Sequence, residues 1–341
     1  ALEMNVIAYQ TFAGIWTTGG GSESIGSSIT GNKIGTDPSG TRRAGNNIGI
    51  FVDSPLVRGT SNLIGANGVG IQVGANAVGT VLKDNYIGTD ATQSLALGNN
   101  IGIDLSAAST ATDGQNLVVA YNTIGFRGNA VIDASGGTRT SYFANTQLAI
   151  DVGGSGVTLN DSPDSTDGEI GMALIESATV VGANLEVTGF APRSSARLDF
   201  YLSDATSNGF GQGRRWLFTR DENSPLDLDN TTGSYGPNFG PLTVATGLIT
   251  NAPRFYFSFP LAGLPSGFRV GNLLTVSALQ TASGQLGEFS PLAAGADGNV
   301  SGGQLVAGGA AQIYLPNHVT LSPAESLSVL DGYFIDTDST T

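Results

Sequence analysis

The sequence contains no cysteine, so disulfide bonds, thiol nucleophiles and cysteine-ligated zinc sites are excluded. It contains one histidine, His318, and no serine motif typical of a nucleophile at a strand-to-helix turn. A Ser-His-Asp triad is therefore not predicted, and we expect His318 to be a surface or packing residue. Charged residues make up only 12% of the chain, and lysine occurs only as Lys33 and Lys83.

Positive charge and long hydrophobic runs are also scarce. The formal net charge of −14 argues against nucleic-acid binding and against association with anionic membranes. No apolar segment reaches the roughly 20 residues that a membrane-spanning helix needs. The hydrophobic fraction of 40% is nevertheless sufficient for folded cores, and glycine is abundant, at 50 of 341 residues, without a collagen period.

An internal repeat dominates the first half of the chain. The segment 32–52 matches the segment 85–105 at 11 of 21 positions, with an offset of 53 residues. Both copies contain an Ile-Gly pair and the run Gly-Asn-Asn-Ile-Gly-Ile. Repetition of this kind is typical of architectures built from stacked units.

Two shorter units alternate within the repeat, Asn-x-Ile and Gly-Ile-x-Val. The first begins at Asn5, Asn32, Asn62, Asn85 and Asn122. The second ends in the apolar pairs Ile50/Val52, Ile71/Val73, Ile103/Leu105, Ile132/Ala134 and Ile150/Val152. Each unit is typical of a short strand with alternate residues facing inward, bounded by turn-forming Gly, Asn, Asp and Ser. The pattern predicts a parallel β-solenoid whose stacked coils bury a continuous column of Ile and Val.

The asparagines of the Asn-x-Ile units share one register of the coil. We therefore predict that their side-chain amides bond from coil to coil as a ladder, as in stacked cross-β segments. The alternative is that these asparagines only serve turns. We also predict that Ile87 and Ile103 point inward and are fully buried.

The combined pattern NxIGTDxxGxxxxGNxxGIxV resembles the right-handed parallel β-helix repeat of large secreted bacterial surface proteins, which share a pectate-lyase-like fold. The resemblance covers residues 1–155. Residues 145–170 are similar to the segment that closes the helix in those proteins. The run Gly287-Glu288-Phe289-Ser290-Pro291 is similar to the end of the Ig-like β-sandwich that follows the helix there. The resemblance implies an extracellular, cell-surface protein.

These patterns divide the chain into four regions of an all-β protein. We predict a parallel β-helix at 1–155, an acidic closing loop at 156–170 and an Ig-like antiparallel β-sandwich at 171–293. The sandwich is indicated by alternating apolar runs such as LEVTGFAP, ARLDFYLSD and PRFYFSFPL. Residues 294–341 contain a Gly/Ala-rich linker and short strand-like runs, which we interpret as an assembly segment.

The closing loop contains the candidate metal site. Its potential oxygen ligands are Asn160, Asp161, Asp164, Asp167 and Glu169. Ca²⁺ takes six to eight such ligands, so calcium is the predicted cofactor, although the spacing is not that of an EF-hand. The alternative is an acidic, solvated linker.

The outward positions of the Gly-Ile-x-Val units predict an acidic column of Asp104, Asp133 and Asp151. Adjacent coils lie about 4.8 Å apart, close to the roughly 5–5.5 Å between the carboxyl groups of a retaining glycosidase. The alternative function is therefore a polysaccharide lyase or glycoside hydrolase acting on acidic glycans. No lysine follows Lys83 to act as a base. The candidate aromatic residues for sugar stacking are Phe126, Tyr142 and Phe143.

The preferred prediction is a structural or adhesive surface protein without enzymatic activity, because basic and aromatic residues are scarce on the helix flank. No catalytic residue is assigned, and carbohydrate is a candidate ligand. The first coil begins at Asn5 without a visible cap. Strands from the segment 294–341 of a neighbouring copy could cover it, so we predict a homo-oligomer that assembles end to end, or by strand exchange, into a filament or surface layer. The alternative is that the cap belongs to a longer precursor and that the module is monomeric.

Overall fold

The chain divides into two compact units. In the computed structural model, the described residues are 4–18, 26–107, 113–128, 140–153, 156–161, 169–239, 242–265, 268, 272–280, 284–292 and 306–307. The first unit comprises Ala1–Thr158, Gln212–Trp216 and Leu279–Glu288. The second unit comprises Leu159–Gly211, Leu217–Ala278 and Phe289–Thr341.

The described part of the first unit is a parallel β-helix. In chain order, its coils contain β1 (Val6–Ile7), β2 (Ala13–Thr18) and β3 (Ser28–Thr30); β4 (Lys33–Ile34), β5 (Ile48–Asp53) and β6 (Arg58–Thr60); β7 (Leu63–Ile64), β8 (Val69–Val73) and β9 (Val81–Lys83); β10 (Tyr86–Ile87), β11 (Ile101–Asp104) and β12 (Asp113–Gln115); β13 (Val118–Ala120) and β14 (Ile124–Arg127); and β15 (Ser141–Phe143) and β16 (Ile150–Asp151). Sheet 1 has the order β1-β4-β7-β10-β13-β15, sheet 2 the order β2-β5-β8-β11-β14-β16, and sheet 3 the order β3-β6-β9-β12.

Columns of isoleucine fill the interior of the β-helix. Ile34 pairs with Ile64 in sheet 1, and Ile71 pairs with Ile103 in sheet 2, so the same residue type stacks from coil to coil. Ile87 and Ile103 are both 0% exposed, as predicted. Full burial of such a side chain contributes about 1.5–3 kcal/mol, and it requires a coil on either side.

The fifth coil departs from the predicted register. We expected Ile124 in the Asn-x-Ile position and Ile132 as the inner residue of sheet 2. Instead, β13 is the strand of this coil in sheet 1. In sheet 2, Phe126 of β14 pairs with Ile103 on one side and with Ile150 on the other. Phe126 is fully buried. The prediction was wrong because a phenylalanine takes the place of the isoleucine in this copy of the unit.

Asparagine side chains form two ladders, where the sequence predicted one. The first ladder contains Asn5, Asn32, Asn62 and Asn85. The second contains Asn46, Asn67, Asn99, Asn122 and Asn145, so Asn122 was assigned to the wrong ladder. In each rung within the ladders, Oδ1 of one asparagine accepts bonds from its neighbour's amide; Asn85 Oδ1 receives both N (3.0 Å) and Nδ2 (2.9 Å) of Asn62. The ladders satisfy backbone donors at the buried corners of the coil.

The glycine of the Gly-Ile-x-Val unit is required by the close approach of the coils. A Cβ added at Gly102 would lie 2.4 Å from the carbonyl oxygen of Gly125 and 2.9 Å from Nδ2 of Asn122. Gly49 and Gly70 would meet the next coil in the same way, at 2.5 Å. Any side chain at these positions would push adjacent coils apart beside the second ladder.

Aspartates organise the two insertions that lengthen the second and fourth coils. Oδ1 of Asp37 accepts bonds from N of Thr41 (3.0 Å) and N of Arg42 (3.1 Å). Asp90 repeats the arrangement in the other insertion with N of Ser94 (3.0 Å) and N of Leu95 (2.9 Å). These bonds explain why the aspartate recurs in both copies of the long repeat.

Segments that are remote in sequence close the last coil of the β-helix. Oε1 of Gln212 accepts bonds from N (2.9 Å) and Nδ2 (3.1 Å) of Asn145 and so acts as the last rung of the second ladder. The carbonyl of Gly213 accepts a bond from N of Tyr142 at 2.8 Å. The guanidinium of Arg214 lies 4.7 Å above the ring of Phe143. The sequence did not predict this closure.

The second unit is an antiparallel β-sandwich, as predicted. The strands from residue 174 onward are β17 (Leu174–Val181), β18 (Asn184–Phe190), β19 (Arg197–Ser203), β20 (Arg215–Asp221), β21 (Thr232–Tyr235), β22 (Asn238–Phe239), β23 (Leu242–Thr243), β24 (Ile249–Pro260), β25 (Leu273–Gln280), β26 (Gln285–Leu286) and β27 (Val306–Ala307), with a 3₁₀ turn at Leu261–Gly263. The two main sheets have the orders β21-β24-β18-β17-β27 and β20-β19-β25-β26, and β22 pairs with β23. β26 pairs with Leu279 and Gln280, and all of these residues belong to the first unit. Phe200 lies at the centre of the core, in contact with the rings of Phe255 and Phe257.

Within residues 294–341, the described part is β27. Val306 and Ala307 pair in parallel with Thr179 and Val180 of β17, at the edge of the first main sheet. The other strand-like runs predicted after residue 307 lie outside the described residues. The role of this segment in assembly stays a prediction.

The ladder predicts a large difference between two adjacent asparagines. Asn99→Ala would remove the acceptor of N and Nδ2 of Asn67, two buried donors. Each unsatisfied buried group costs about 1–3 kcal/mol, so we expect the free energy of unfolding to fall by at least about 2 kcal/mol. Asn100 is exposed and is the matched control. Equal losses for Asn99→Ala and Asn100→Ala in urea unfolding would contradict a stabilising ladder.

Candidate functional site

The outer surface of sheet 2 carries one continuous row of side chains, which we call the outer column. The pairing register aligns the residue that follows each inner position. The members of the outer column are Trp16, Phe51, Gln72, Asp104, Arg127 and Asp151. The column is aromatic at one end and charged at the other, so the two ends offer different chemistry.

An ion pair occupies the charged end of the outer column. Nη2 of Arg127 lies 2.5 Å from Oδ2 of Asp104, and Nε lies 3.3 Å from Oδ1. Ser106 also donates to Oδ1 of Asp104, through N (3.0 Å) and Oγ (2.6 Å). Asp104 is 2% exposed, so its carboxylate is stabilised by the donors of Arg127 and Ser106 and not by bulk water.

The predicted acidic column is therefore wrong. Arg127 lies between Asp104 and Asp151 in the strand register, at the position that we assigned to Asp133. Asp133 itself lies outside the described residues. The error follows from the register of the fifth coil, because Gly125-Phe126-Arg127 is the unit that aligns with Gly102-Ile103-Asp104.

At the charged end of the outer column, Asp104 and Arg127 are stabilised in their ionised forms. Burial opposes ionisation of Asp104, but the hydrogen bonds from Arg127 and Ser106 outweigh it and lower its pKa. The hydrogen bond to Asp104, with the nearby Asp151, raises the pKa of Arg127 despite partial burial. Asp104 and Asp151 are two coils apart, about 9.6 Å, and the guanidinium fills the gap where an inverting glycosidase needs a water. Neither feature suits a proton-transfer pair.

Exposed aromatic rings form the other end of the outer column. Trp16 is 53% exposed and Phe12, beside it, is 48% exposed. The rings of Trp16 and Phe51 are nearly parallel, with an interplanar angle of 15° and centroids 6.1 Å apart, and Phe12 contacts both rings edge-on. We call these three residues the aromatic cluster.

The aromatic residues selected from the sequence for sugar stacking were the wrong ones. Phe126, Tyr142 and Phe143 are at most 3% exposed and belong to the core. The aromatic cluster was missed although Phe51 lies at the outward position of its unit. An aromatic residue at the outward position of a Gly-Ile-x-Val unit is visible in the sequence, and it would have indicated an exposed ring.

The predicted calcium ligands are only partly described. Asn160 is buried, with Nδ2 donating to the carbonyl of Met172 (2.9 Å) and Oδ1 accepting from N of Met172 (2.7 Å). Asp161 and Glu169 are also among the described residues, whereas Asp164 and Asp167 are not. Within the described ranges, no three acidic or histidine side chains converge as a metal-binding group. The calcium site stays a prediction.

A surface cavity in the second unit includes two of these residues. Its volume is about 410 Å³. Its lining residues are Asn160, Asp161, Ala191, Pro192, Arg193, Ser194, Tyr235, Ile249, Thr250, Asn251, Ala252 and Pro253. The side chain of Asn160 also donates to the hydroxyl of Tyr235 at 2.8 Å, which joins two residues of the lining.

A buried glutamate anchors the closing segment of the β-helix. Oε1 of Glu288 accepts a bond from N of Val152 (3.1 Å), and Oε2 accepts one from N of Thr158 (3.0 Å). Burial, reinforced by the charge of Asp151, raises the pKa of Glu288 to about 8 despite the two backbone donors. The sequence motif Gly-Glu-Phe-Ser-Pro thus supplies an anchor for a segment 130 residues earlier in the chain.

Comparison with known proteins adds no assignment. No protein-family model matches the sequence, and no curated protein matches it. In the described part of the chain, no helix has the length and apolar character needed to cross a membrane. Any function must therefore be argued from the chemistry of the two units.

The raised pKa of Glu288 predicts a specific dependence of stability on pH. Its pKa rises from an ordinary value of 4.5 to about 8 on folding, so its contribution is fully present below pH 4.5 and is lost as the pH rises to 8. We expect the free energy of unfolding to fall by up to about 1.4 kcal/mol per pH unit in this window. Glu288→Gln, which cannot ionise, should remove that slope. Parallel curves for the native chain and the variant between pH 5 and 8 would refute the assignment.

Proposed function

We propose that this chain is a structural or adhesive module of an extracellular bacterial surface protein and has no enzymatic activity. The proposal rests on the outer column, which presents an ion pair and exposed aromatic rings in place of converging carboxylates. The repeat pattern supports it through its resemblance to secreted surface proteins with a pectate-lyase-like fold. The two ladders support it as well, because coils tied at both corners form a rigid scaffold for display.

The aromatic cluster is the part of this scaffold that we propose for adhesion, with carbohydrate as the ligand. An exposed Trp or Phe ring offers an apolar face that packs against the C–H face of a sugar. Thr18 and Asp53 pair next to Trp16 and Phe51 in the same strands, and they can bond to sugar hydroxyl groups. Rings on adjacent coils are held at a fixed spacing, so little conformational entropy is lost on binding.

We propose that self-association accompanies adhesion, so that the module is one unit of a filament or surface layer. A net charge of −14 opposes close packing of copies, and divalent cations relieve such repulsion. Calcium bound by the acidic segment Asn160–Glu169 would relieve part of this repulsion. The second candidate function, a glycan-degrading enzyme, has weaker support because Arg127 separates the two carboxylates of the outer column.

The proposal predicts glycan retention without turnover. On columns of immobilised pectin, alginate and neutral glycans, we expect retention that Trp16→Ala lowers at least tenfold and Asp104→Asn leaves unchanged. Phe143→Leu, a change to a buried ring, is the control for altered folding. No reducing ends or unsaturated products should appear in the eluate. Turnover that Asp104→Asn or Asp133→Asn abolishes would replace the adhesive proposal with the enzymatic one.

The calcium proposal predicts a shift in thermal stability. A cation that binds only the folded state raises the melting temperature in proportion to the logarithm of its concentration. We expect millimolar Ca²⁺ to raise the melting temperature of the native chain, and a chelator to reverse the shift. Asp164→Ala should lose this response, whereas Asp221→Ala, an exposed acid in the sandwich, should keep it. A native chain that does not respond to the chelator has no calcium site.

A further inference from the structure

The surface cavity of the second unit lies beside an irregular pair of strands. All of its lining residues belong to that unit. Between two successive pairs, β24 has one residue more than β21, so Thr250 and Asn251 together oppose Ser234. Such a β-bulge turns side chains away from the regular alternation of a strand. Both bulged residues line the cavity.

The rim of the cavity carries uncharged polar side chains. Ser194, Thr250 and Asn251 are all exposed, so their hydroxyl and amide groups face solvent. Asn251 has a left-handed backbone, with a φ of 57°. Asparagine tolerates this conformation, but glycine adopts it without strain. The backbone of the bulge therefore does not by itself require the amide of Asn251.

An aromatic ring held from two sides forms one wall of the cavity. The ring centroid of Tyr235 lies 5.0 Å from that of Phe190. Its hydroxyl accepts the bond from Nδ2 of Asn160, a buried residue that is itself bonded to Met172. A ring fixed in this way keeps its position when a ligand binds, so little conformational entropy is lost.

The charges of the lining balance each other. Asp161 and Arg193 both line the cavity, and they are its only acidic and basic residues. Nη2 of Arg193 also donates to the carbonyl of Glu169 at 2.5 Å, which places the guanidinium. An anionic ligand would meet Asp161, and a cationic ligand would meet Arg193. The lining therefore favours a neutral ligand.

The remaining chemistry matches a sugar. Hydroxyl and amide side chains both donate and accept hydrogen bonds, as sugar hydroxyl groups do. The Tyr235 ring, with Pro192 and Pro253 in the same lining, offers apolar surface for the C–H face of a pyranose. The volume of about 410 Å³ lies in the lower part of the roughly 300–1,000 Å³ range of small-ligand sites. A peptide strand fits less well, because β24 is already paired on both sides, by β21 and β18.

We propose that this cavity binds one residue of a neutral glycan. The C–H face of the sugar packs on the ring of Tyr235, and its hydroxyl groups bond to the side chains of Thr250 and Asn251. The site lies in the second unit, whereas the aromatic cluster lies in the first. The inference rests on the proposed function only in its class of ligand.

Asn251 allows a test with a matched control. We expect titration calorimetry of the full chain to detect binding of at least one of the methyl glycosides of glucose, galactose, mannose and N-acetylglucosamine. Asn251→Gly removes the amide without backbone strain and should weaken that binding at least fivefold, the size of one lost hydrogen bond. Asn223→Gly is the control, because Asn223 has the same φ of 57° in the same unit but lies outside the cavity. Thr250→Val, which removes a hydroxyl and keeps the shape, should also weaken binding.

The outcomes separate this inference from the adhesive proposal. Binding that Asn251→Gly weakens and Asn223→Gly does not supports the inference. Absence of binding, equal affinities for the two variants, or equally tight binding of glucuronate and galacturonate overturns it. A proline-rich peptide that binds in place of every glycoside, and is lost in Asn251→Gly, also overturns it.

The variant Trp16→Ala reports on the aromatic cluster alone. If it lowers retention on glycan columns while no glycoside binds in the cavity, the adhesive proposal stands and the inference fails. If it leaves retention unchanged while Asn251→Gly weakens glycoside binding, the inference stands and the aromatic cluster is not the adhesive site.

Discussion

The amide–amide hydrogen bond between asparagines of successive coils is the interaction on which the β-helix depends. At each corner the backbone turns inside the protein, where its N–H groups cannot reach water. An asparagine side chain solves this because one oxygen accepts two bonds while Nδ2 donates two others. Asn99, for example, bonds to both neighbouring rungs and to the carbonyl of Ile64. The residues that precede rungs often adopt left-handed backbone conformations, as at Asp84 (φ 54°) and Ala66 (φ 62°).

The ladders also explain where the coils tolerate insertions. Asn46 and Asn99 follow the two long insertions, yet both bond to Asn67 of the short coil between them. The inserted residues leave the β-helix after the inner position of sheet 1 and return at the next rung. Their length is therefore free, provided that the asparagine and the glycine beside it keep their places. The aspartates at positions 37 and 90 supply the internal bonds of each insertion.

The parts of the fold that the sequence predicted are those with local periodicity. The isoleucine columns, the first ladder and sandwich strands such as β24 follow from spacing and alternation, which are visible within a few residues. The register of the fifth coil was lost because Phe126 replaces an isoleucine and Leu117 takes the place of a ladder asparagine. The closure by Gln212 and Glu288 could not be predicted, since neither residue belongs to a repeat and both act on segments far away in sequence.

Two buried carboxylates in the β-helix unit offset the cost of losing water in different ways. Asp104 is paired with a guanidinium, which keeps it ionised. Glu288 is held by two backbone N–H groups, and burial favours its neutral form near pH 7. The second ladder ends there on the uncharged amide of Gln212, which accepts a bond from N of Asn145 and donates one to the carbonyl of Asn145. In the described rungs of both ladders, Nδ2 of one asparagine donates to Oδ1 of the asparagine in the next coil, so the β-helix has a chemical direction along its axis.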